Sequence, residues 1–195
     1  MGSEMCIRDR NHCYTSPVYR AFVTRMNTRL AGEFGAHPAV VGWHISNEYC
    51  GECHCELCQS AFRAWLKRKY QTLDNLNHAW WTAFWSKTFT DWEEIHSPEP
   101  NGETQLCGLT LDWRRFVSDQ TVDFVKCETA PIRRIAPSLP VTINTMGFFY
   151  GLDYPSFADV VDFVGYDSYP MWGSKSDYDV ALEASFTFDL VRGFL

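Results

Sequence analysis

The sequence predicts an α/β protein on a parallel sheet, and more narrowly a partial (β/α)8 TIM barrel made of central strands and helices only. Three observations carry this. Short apolar runs alternate with longer segments of helical periodicity. Polar residues cluster directly after those runs, as Asn47-Glu48, Asn144 and Asp167-Ser168-Tyr169, which is where parallel α/β folds carry their chemistry. Only three strands can be read in 195 residues, whereas a complete barrel takes ~250 residues.

The elements follow in order. Residues 1–10, MGSEMCIRDR, carry charges and a Cys without periodicity, and MCIRDR reads as translated sequencing adapter. They are expected to be a non-native leader before an incomplete barrel domain of residues 11–195. Ser16-Pro17 is an N-cap with Pro at the first helical position. Tyr19, Phe22, Val23, Met26 and Leu30 then recur at helical spacing until Gly35. The run from Ala39 to Ile45 is too short for a helix and lacks alternation, which predicts a strand buried on both faces. A second helix runs through Phe62, Trp65, Leu66 and Tyr70, and a third through Leu73, Leu76, Trp80 and Phe84. Residues 97–108 hold Pro98, Pro100, Gly102 and Gly108 and read as a loop. Leu111 to Ile135 predicts a long helix, kinked or broken around Pro131. Pro140 to Asn144 and Val160 to Tyr166 predict two more strands, and Ala181 to Leu195 a last helix.

Composition removes several function classes. With 24 acidic against 17 basic residues and a net charge of −7, the chain lacks the cationic face that non-specific nucleic-acid binding needs. No apolar run is long enough to span a membrane. Residues 1–15 lack the apolar core of a secretory signal, so the expected compartment is the cytoplasm. No Gly-rich phosphate loop is present, and no His forms an H-E-x-x-H pair or a triad with a Ser in a strained turn. Eight Trp among 16% aromatic residues suit sugars, whose apolar faces and hydroxyls match flat rings with polar tips.

Glu48 is the first candidate. An apolar strand delivers it to its own C-terminal tip, with Asn47 beside it to donate to a substrate hydroxyl. Tyr49 and Trp43 could wall it off from water, which raises a carboxyl pKa as a general acid requires. The same placement also suits a carboxylate that caps or salt-bridges the following loop. Cys50, Cys53, Cys55 and Cys58 fall within nine residues, and spacing alone assigns all four to one tetrahedral Zn²⁺. Disulfides are the structural rival, and no signal peptide supports them.

The string Val41-Gly42-Trp43-His44-Ile45-Ser46-Asn47-Glu48-Tyr49 resembles the acid/base strand of family 42 glycoside hydrolases, the bacterial β-galactosidases. The likeness continues through Cys53-His54-Cys55, Cys58, Ala61-Phe62-Arg63, Trp65-Leu66, Leu76-Asn77, Trp80, Thr82-Ala83-Phe84-Trp85-Ser86, Leu111-Asp112, Met146-Gly147 and Asp167-Ser168-Tyr169-Pro170. It covers nearly everything from His12 onward. It implies a (β/α)8 barrel, hydrolysis of terminal β-D-galactosides with retention, and a whole protein that is cytoplasmic and forms homotrimers. Glu48 would be the general acid/base, Asn47 would bond the hydroxyl next to the anomeric carbon, and Trp85 would form part of the galactose platform. Trp85 also reads as a core residue on a helical stripe with Trp81. The resemblance places the nucleophile on a later strand. Asp162, Asp167 and Glu183 do not match its motif, so the chain is expected to be a fragment inactive on its own.

The resemblance also changes the metal ligands to Cys13, Cys53, Cys55 and Cys58 around a structural Zn²⁺, because Cys50 stands where a Gly is common. Such a site would pin the loop after Glu48 to the start of the preceding helix. Two other functions remain open: a related β-glycosidase acting on arabinosides or glucosides, and a non-catalytic zinc-stabilised interaction module.

Overall fold

The computed structural model describes residues 12–98, 106–146, 149–171 and 173–193, and of Trp85 the backbone alone. The leader expected over residues 1–10 lies outside the described residues. So do Pro100 and Gly102 of the expected loop and the last two residues of the expected C-terminal helix. Among the described residues there are five α-helices and three strands: α1 (Pro17–Phe34), β1 (Trp43–His44), α2 (Glu56–Tyr70), α3 (Leu73–Trp80), α4 (Cys107–Ile135), β2 (Val141–Thr145), β3 (Phe163–Tyr166) and α5 (Asp177–Arg192). No helix of the described residues is long and apolar enough to cross a membrane.

Helix ends follow local chemistry. The Ser16 hydroxyl accepts the Tyr19 N–H at 3.3 Å, so α1 starts at Pro17 as its cap dictates. Helix α3 opens on Thr72, whose side chain accepts the Asn75 N–H, and it stops at Trp80 instead of continuing to Phe84. Trp81 takes a left-handed conformation with φ 53°, and Phe84 falls in a separate 3-10 turn, Thr82–Trp85. The cause is Asn77. Its side chain accepts from Thr82 Oγ1 at 2.9 Å and from the Phe89 N–H at 3.0 Å, and donates to the Phe89 carbonyl at 2.8 Å. These bonds compete with helix continuation.

Helix α4 starts at Cys107, four residues before the expected Leu111, and runs unbroken past Pro131. Pro131 forfeits one backbone bond near the C-terminal end. Tertiary contacts hold the turn beyond it, with Ile132 buried and Arg133 bonded to Asp162 and the Val160 carbonyl.

The chain divides into two compact units, one of Met1–Tyr19 with Gly51–Gln120 and one of Arg20–Cys50 with Thr121–Leu195. In the first, α2, α3 and the early part of α4 bury Cys58, Phe62, Leu66, Leu76, Trp80, Ile95, Leu109, Trp113 and Phe116 together. Each fully buried apolar side chain of this kind contributes about 1.5–3 kcal/mol. Gly108 sits where a Cβ would lie 2.4 Å from the Trp80 ring, so the residue read as loop punctuation is a helix position kept bare for an indole.

The second unit holds the sheet, ordered β1-β2-β3 with both pairings parallel. Side chains alternate across a strand. Val141, Ile143 and Thr145 are buried on one face, while their neighbours Thr142 and Asn144 lie on the other with His44 and Phe163. That second face is open: Phe163 is 46% exposed and His44 is exposed.

The strand expected over Ala39–Ile45, buried on both faces, is therefore corrected to two paired residues with one open face. Val40 belongs to a turn on His37 and Val41 is 83% exposed. Among the described residues β1 has a neighbour on one side only. His44 faces outward on this strand. Likewise β3 begins at Phe163 rather than Val160, because Val160 and Val161 both bond back to the Phe157 carbonyl. The link from β2 to β3 contains a 3-10 turn, Tyr154–Phe157, in place of a helix. Helix α5 begins at Asp177, capped by Ser176, and its Phe188 meets Tyr166 of β3 edge-on at 5.7 Å.

Candidate functional site

The carboxylate-bearing segment starts where β1 ends. After Ile45, whose N–H bonds the Thr142 carbonyl at 3.0 Å, the backbone turns sharply, and Ser46 and Glu48 both adopt positive φ, 49° and 45°. Non-glycine residues there cost about 1–3 kcal/mol each and persist only when neighbours hold them. The neighbours are identifiable. Asn144, at the end of β2 and 9% exposed, accepts the Glu48 N–H at 2.8 Å through its Oδ1. Its amide donates to Asn47 Oδ1 at 3.1 Å and to Asp167 Oδ2 at 2.8 Å. On the other side, Ser46 Oγ donates to Glu128 Oε1 at 2.9 Å and the Tyr49 hydroxyl donates to Glu128 Oε2. Glu48 is half-buried and Asn47 exposed.

Around this segment, one residue differs from its sequence reading and two others add to it. Tyr49 is not a cleft wall: it is 3% exposed and its ring packs against Phe124 and Phe157. Trp43 is half-buried, and its indole N–H is buried without an acceptor among the described residues. Tyr154, which no motif pointed to, is drawn into the same neighbourhood. Burial pushes its hydroxyl up to about 12, against a backbone bond from Met146, and the charges of Cys50, Asp167 and Glu48 push the same way. Its position in a 3-10 turn carries no periodic signal.

The remaining acids have structural bonds. Asp162 Oδ2 accepts the Val141 N–H at 2.7 Å, and that bond, with Arg133 beside it, holds the carboxyl below the usual range. Glu183 pairs with Lys175 at 2.6 Å.

In the first unit, Cys13, Cys53, Cys55 and Cys58 come together, with all four sulfurs within 4.8 Å of one another. Cys13 Sγ lies 3.3 Å from Cys58 Sγ and 3.7 Å from Cys55 Sγ. A tetrahedral ion with metal–sulfur bonds of about 2.3 Å needs sulfur–sulfur edges of about 3.8 Å. The donor set therefore fits a thiophilic dication, and all four thiols are free. Cys50 is not one of the four.

The shell behind the sulfurs is ordered too. Thr15 Oγ1 lies 3.2 Å from Cys58 Sγ, and Gln120 Nε2 reaches both Thr15 and Cys58. The backbone N–H of Cys58 lowers the Cys55 thiol to about 7, whereas burial raises Cys58 and Cys53. Four thiolates this close would repel one another, and a bound cation would offset their charge as the thiol protons leave. Cys107 is exposed and Cys127 is half-buried.

Next to the cysteines, His54 Nδ1 lies 2.8 Å from Ser97 Oγ and His54 Nε2 lies 3.5 Å from Glu52. This is the outline of a hydrolytic triad, but Ser97 is 1% exposed and its hydroxyl accepts from Gln59 at 2.7 Å. No substrate carbonyl can reach it, and the array serves to fasten the cysteine loop. Trp85 ends the Thr82–Trp85 turn, and its side chain lies outside the described residues.

The glycoside hydrolase 42 family model, described as beta-galactosidase, matches residues 3–195. Beta-galactosidase BglY of Alicyclobacillus acidocaldarius is 56% identical over 186 residues, 95% of this chain and 27% of its own length. Beta-galactosidase GanA of Bacillus subtilis is 51% identical over 191 residues, 93% of this chain and 28% of its own. The crystal structure of a beta-galactosidase from Rahnella sp. R3 superposes with a TM-score of 0.91 at 51% identity, over 94% of this chain and 27% of that one. One from Bacillus circulans sp. alkalophilus gives 0.86 at 40% identity, over 94% and 27%. The chain thus spans a little over a quarter of the relatives it matches.

Proposed function

This chain belongs to the glycoside hydrolase 42 β-galactosidase family, and from that premise we propose that the whole protein hydrolyses terminal β-D-galactosides with retention, using Glu48 as general acid/base. The observation that carries the reading is the delivery of Glu48 to the tip of a strand on a backbone held against strain, with its N–H fastened by Asn144. Glu48 protonates the departing glycosidic oxygen and later takes a proton from the incoming water. Asn47 has its carbonyl oxygen occupied by Asn144, which turns its amide hydrogens toward a sugar hydroxyl. Trp85 is assigned to the galactose platform on the family resemblance.

A retaining reaction needs a second carboxylate about 5–5.5 Å from the first. Asp162, Asp167 and Glu183 are each committed to a structural partner, so the nucleophile is assigned outside these residues. Cys13, Cys53, Cys55 and Cys58 are assigned a structural Zn²⁺. Four thiolates close its shell and leave no position for substrate.

The test is Glu48→Gln in the whole protein, assayed on phenyl and 2,4-dinitrophenyl β-galactosides. The phenyl substrate needs protonation to leave and the dinitrophenyl one does not. The expected result is a loss in kcat/KM of about 10²–10⁴-fold on the first and little change on the second, with added azide trapping the galactosyl group as the β-azide. Unchanged turnover of the phenyl substrate would refute the assignment.

A further inference from the structure

We propose that Glu128 is the positioning residue of the acid/base segment, its carboxylate gripping Ser46 and Tyr49 on either side of Asn47-Glu48 and so fixing where Glu48 points. This rests on Glu48 being the acid/base. Glu128 is on α4, 5% exposed, and each of its carboxylate oxygens takes one hydroxyl, Oε1 from Ser46 and Oε2 from Tyr49. The two donors are three residues apart and bracket the two residues that would touch substrate. The first donor itself sits at φ 49°, and Glu48 at φ 45°.

The helix turn carrying Glu128 is in turn tied down, because Asn27 Nδ2 of α1 donates to the Glu128 carbonyl at 2.9 Å. Asn144 holds the Glu48 N–H from the sheet, so the segment is clamped between a strand end and a helix. A carboxylate is an expensive group to bury, and a well-packed apolar side chain would stabilise a core at least as well. What an apolar residue cannot do is accept two hydroxyls at once and pin the ends of a strained turn. A displacement of about 1 Å at a reacting group is enough to cost about 10²-fold in rate.

The test compares Glu128→Ala, Glu128→Gln, Ser46→Ala and Tyr49→Phe in the whole protein on the same two substrates. Because kcat/KM runs only through glycosidic cleavage, it isolates the step in which Glu48 acts as acid. Glu128→Ala is expected to lower kcat/KM on phenyl β-galactoside by about 10–10²-fold and to leave the dinitrophenyl substrate little changed. Glu128→Gln, which still accepts from one hydroxyl, recovers most of the loss, and Ser46→Ala and Tyr49→Phe each reproduce part of it. Equal losses on both substrates, or none on either, overturn the proposal. Should Glu128→Ala fail to fold, Ser46→Ala and Tyr49→Phe, which each remove one of the two hydroxyls and leave Glu128 in place, carry the same comparison. If Glu48→Gln itself lacks the split between substrates, the acid/base reading falls. If Glu48→Gln shows the split and the Glu128 variants do not, the positioning role alone falls.

Discussion

Replacing Asn144 by Asp should harm the protein more than replacing it by Ala, although Asp keeps the shape of Asn. The reasoning starts from three bonds. Asn144 accepts the Glu48 N–H at 2.8 Å and donates to Asn47 Oδ1 at 3.1 Å and to the Asp167 carboxylate at 2.8 Å. A neutral hydrogen bond is worth about 1 kcal/mol net and one to a charged group about 1.5–3 kcal/mol. Removing all three in Asn144→Ala gives a gross loss of about 4 kcal/mol on that scale, reduced to about 2 kcal/mol where water enters from the open face.

Asn144→Asp retains an acceptor for Glu48 but sets a carboxylate oxygen where an amide hydrogen met Asp167. Two unit charges 2.8 Å apart repel by about 6 kcal/mol at an effective dielectric of 20. Proton uptake by the pair relieves part of this, leaving a net cost of about 3–4 kcal/mol at neutral pH. The assay is kcat/KM on phenyl β-galactoside in the whole protein, with the urea unfolding midpoint measured in parallel. Asn144→Ala should lose about tenfold or somewhat more, and Asn144→Asp on the order of 10²–10³-fold. If Asn144 served only to accept from Glu48, Asp would be the milder change. An Asp variant as active and as stable as the Ala variant therefore refutes the hub.

Three further outcomes follow from other parts of the molecule. Asp112, 1% exposed, accepts from Lys69, Tyr70 and Trp80; burial pushes its carboxyl up, but these donors outweigh burial and hold it below the usual range. Asp112→Ala should cost about 3 kcal/mol at pH 7 by urea unfolding, and the gap should narrow as pH falls through the lowered folded-state range, since a depressed carboxyl stabilises only while ionised; a gap that widens in acid contradicts this. Cys13→Ser should abolish bound zinc in metal analysis of the purified protein while Cys50→Ser retains it, and equal zinc loss would undo the ligand set. Gly108→Ala should destabilise by about 1–3 kcal/mol, read as a lowered thermal midpoint, because its Cβ would meet Trp80 at 2.4 Å, whereas Gly32→Ala, with nothing within 4 Å, should not.

What could be read from the sequence is what local chemistry decides. Ser16-Pro17 starts a helix through bonds made within three residues, and an apolar run ending in Asn47-Glu48 places a carboxylate at a strand tip without reference to the rest of the chain. The parts that could not be read are joined across long separations. Asn144 was visible as a polar residue after a strand, but its bond to the Glu48 N–H spans 96 residues. Glu128 sits in a long helix whose periodic pattern gives a buried glutamate no mark that a solvated one lacks, and its partners are 79 and 82 residues away. Cys13 shows the same limit from the other side. Spacing alone selected Cys50, the nearer thiol, and the family pattern selected Cys13, 45 residues from Cys58.

Even the misjudged helix end at Trp80 follows this rule, because the Asn77 side chain stops α3 by reaching Phe89, twelve residues on. Side chains that would touch substrate stand at the ends of elements, where sequence speaks. Of those that hold them, Asn144 stands at a strand end and Glu128 inside a helix, and the long-range bonds of both are found only once the chain has folded. The variants that most sharply test the site are for that reason not at Glu48 but at Asn144 and Glu128, whose loss would leave the Glu48 carboxylate chemically intact and only misdirected.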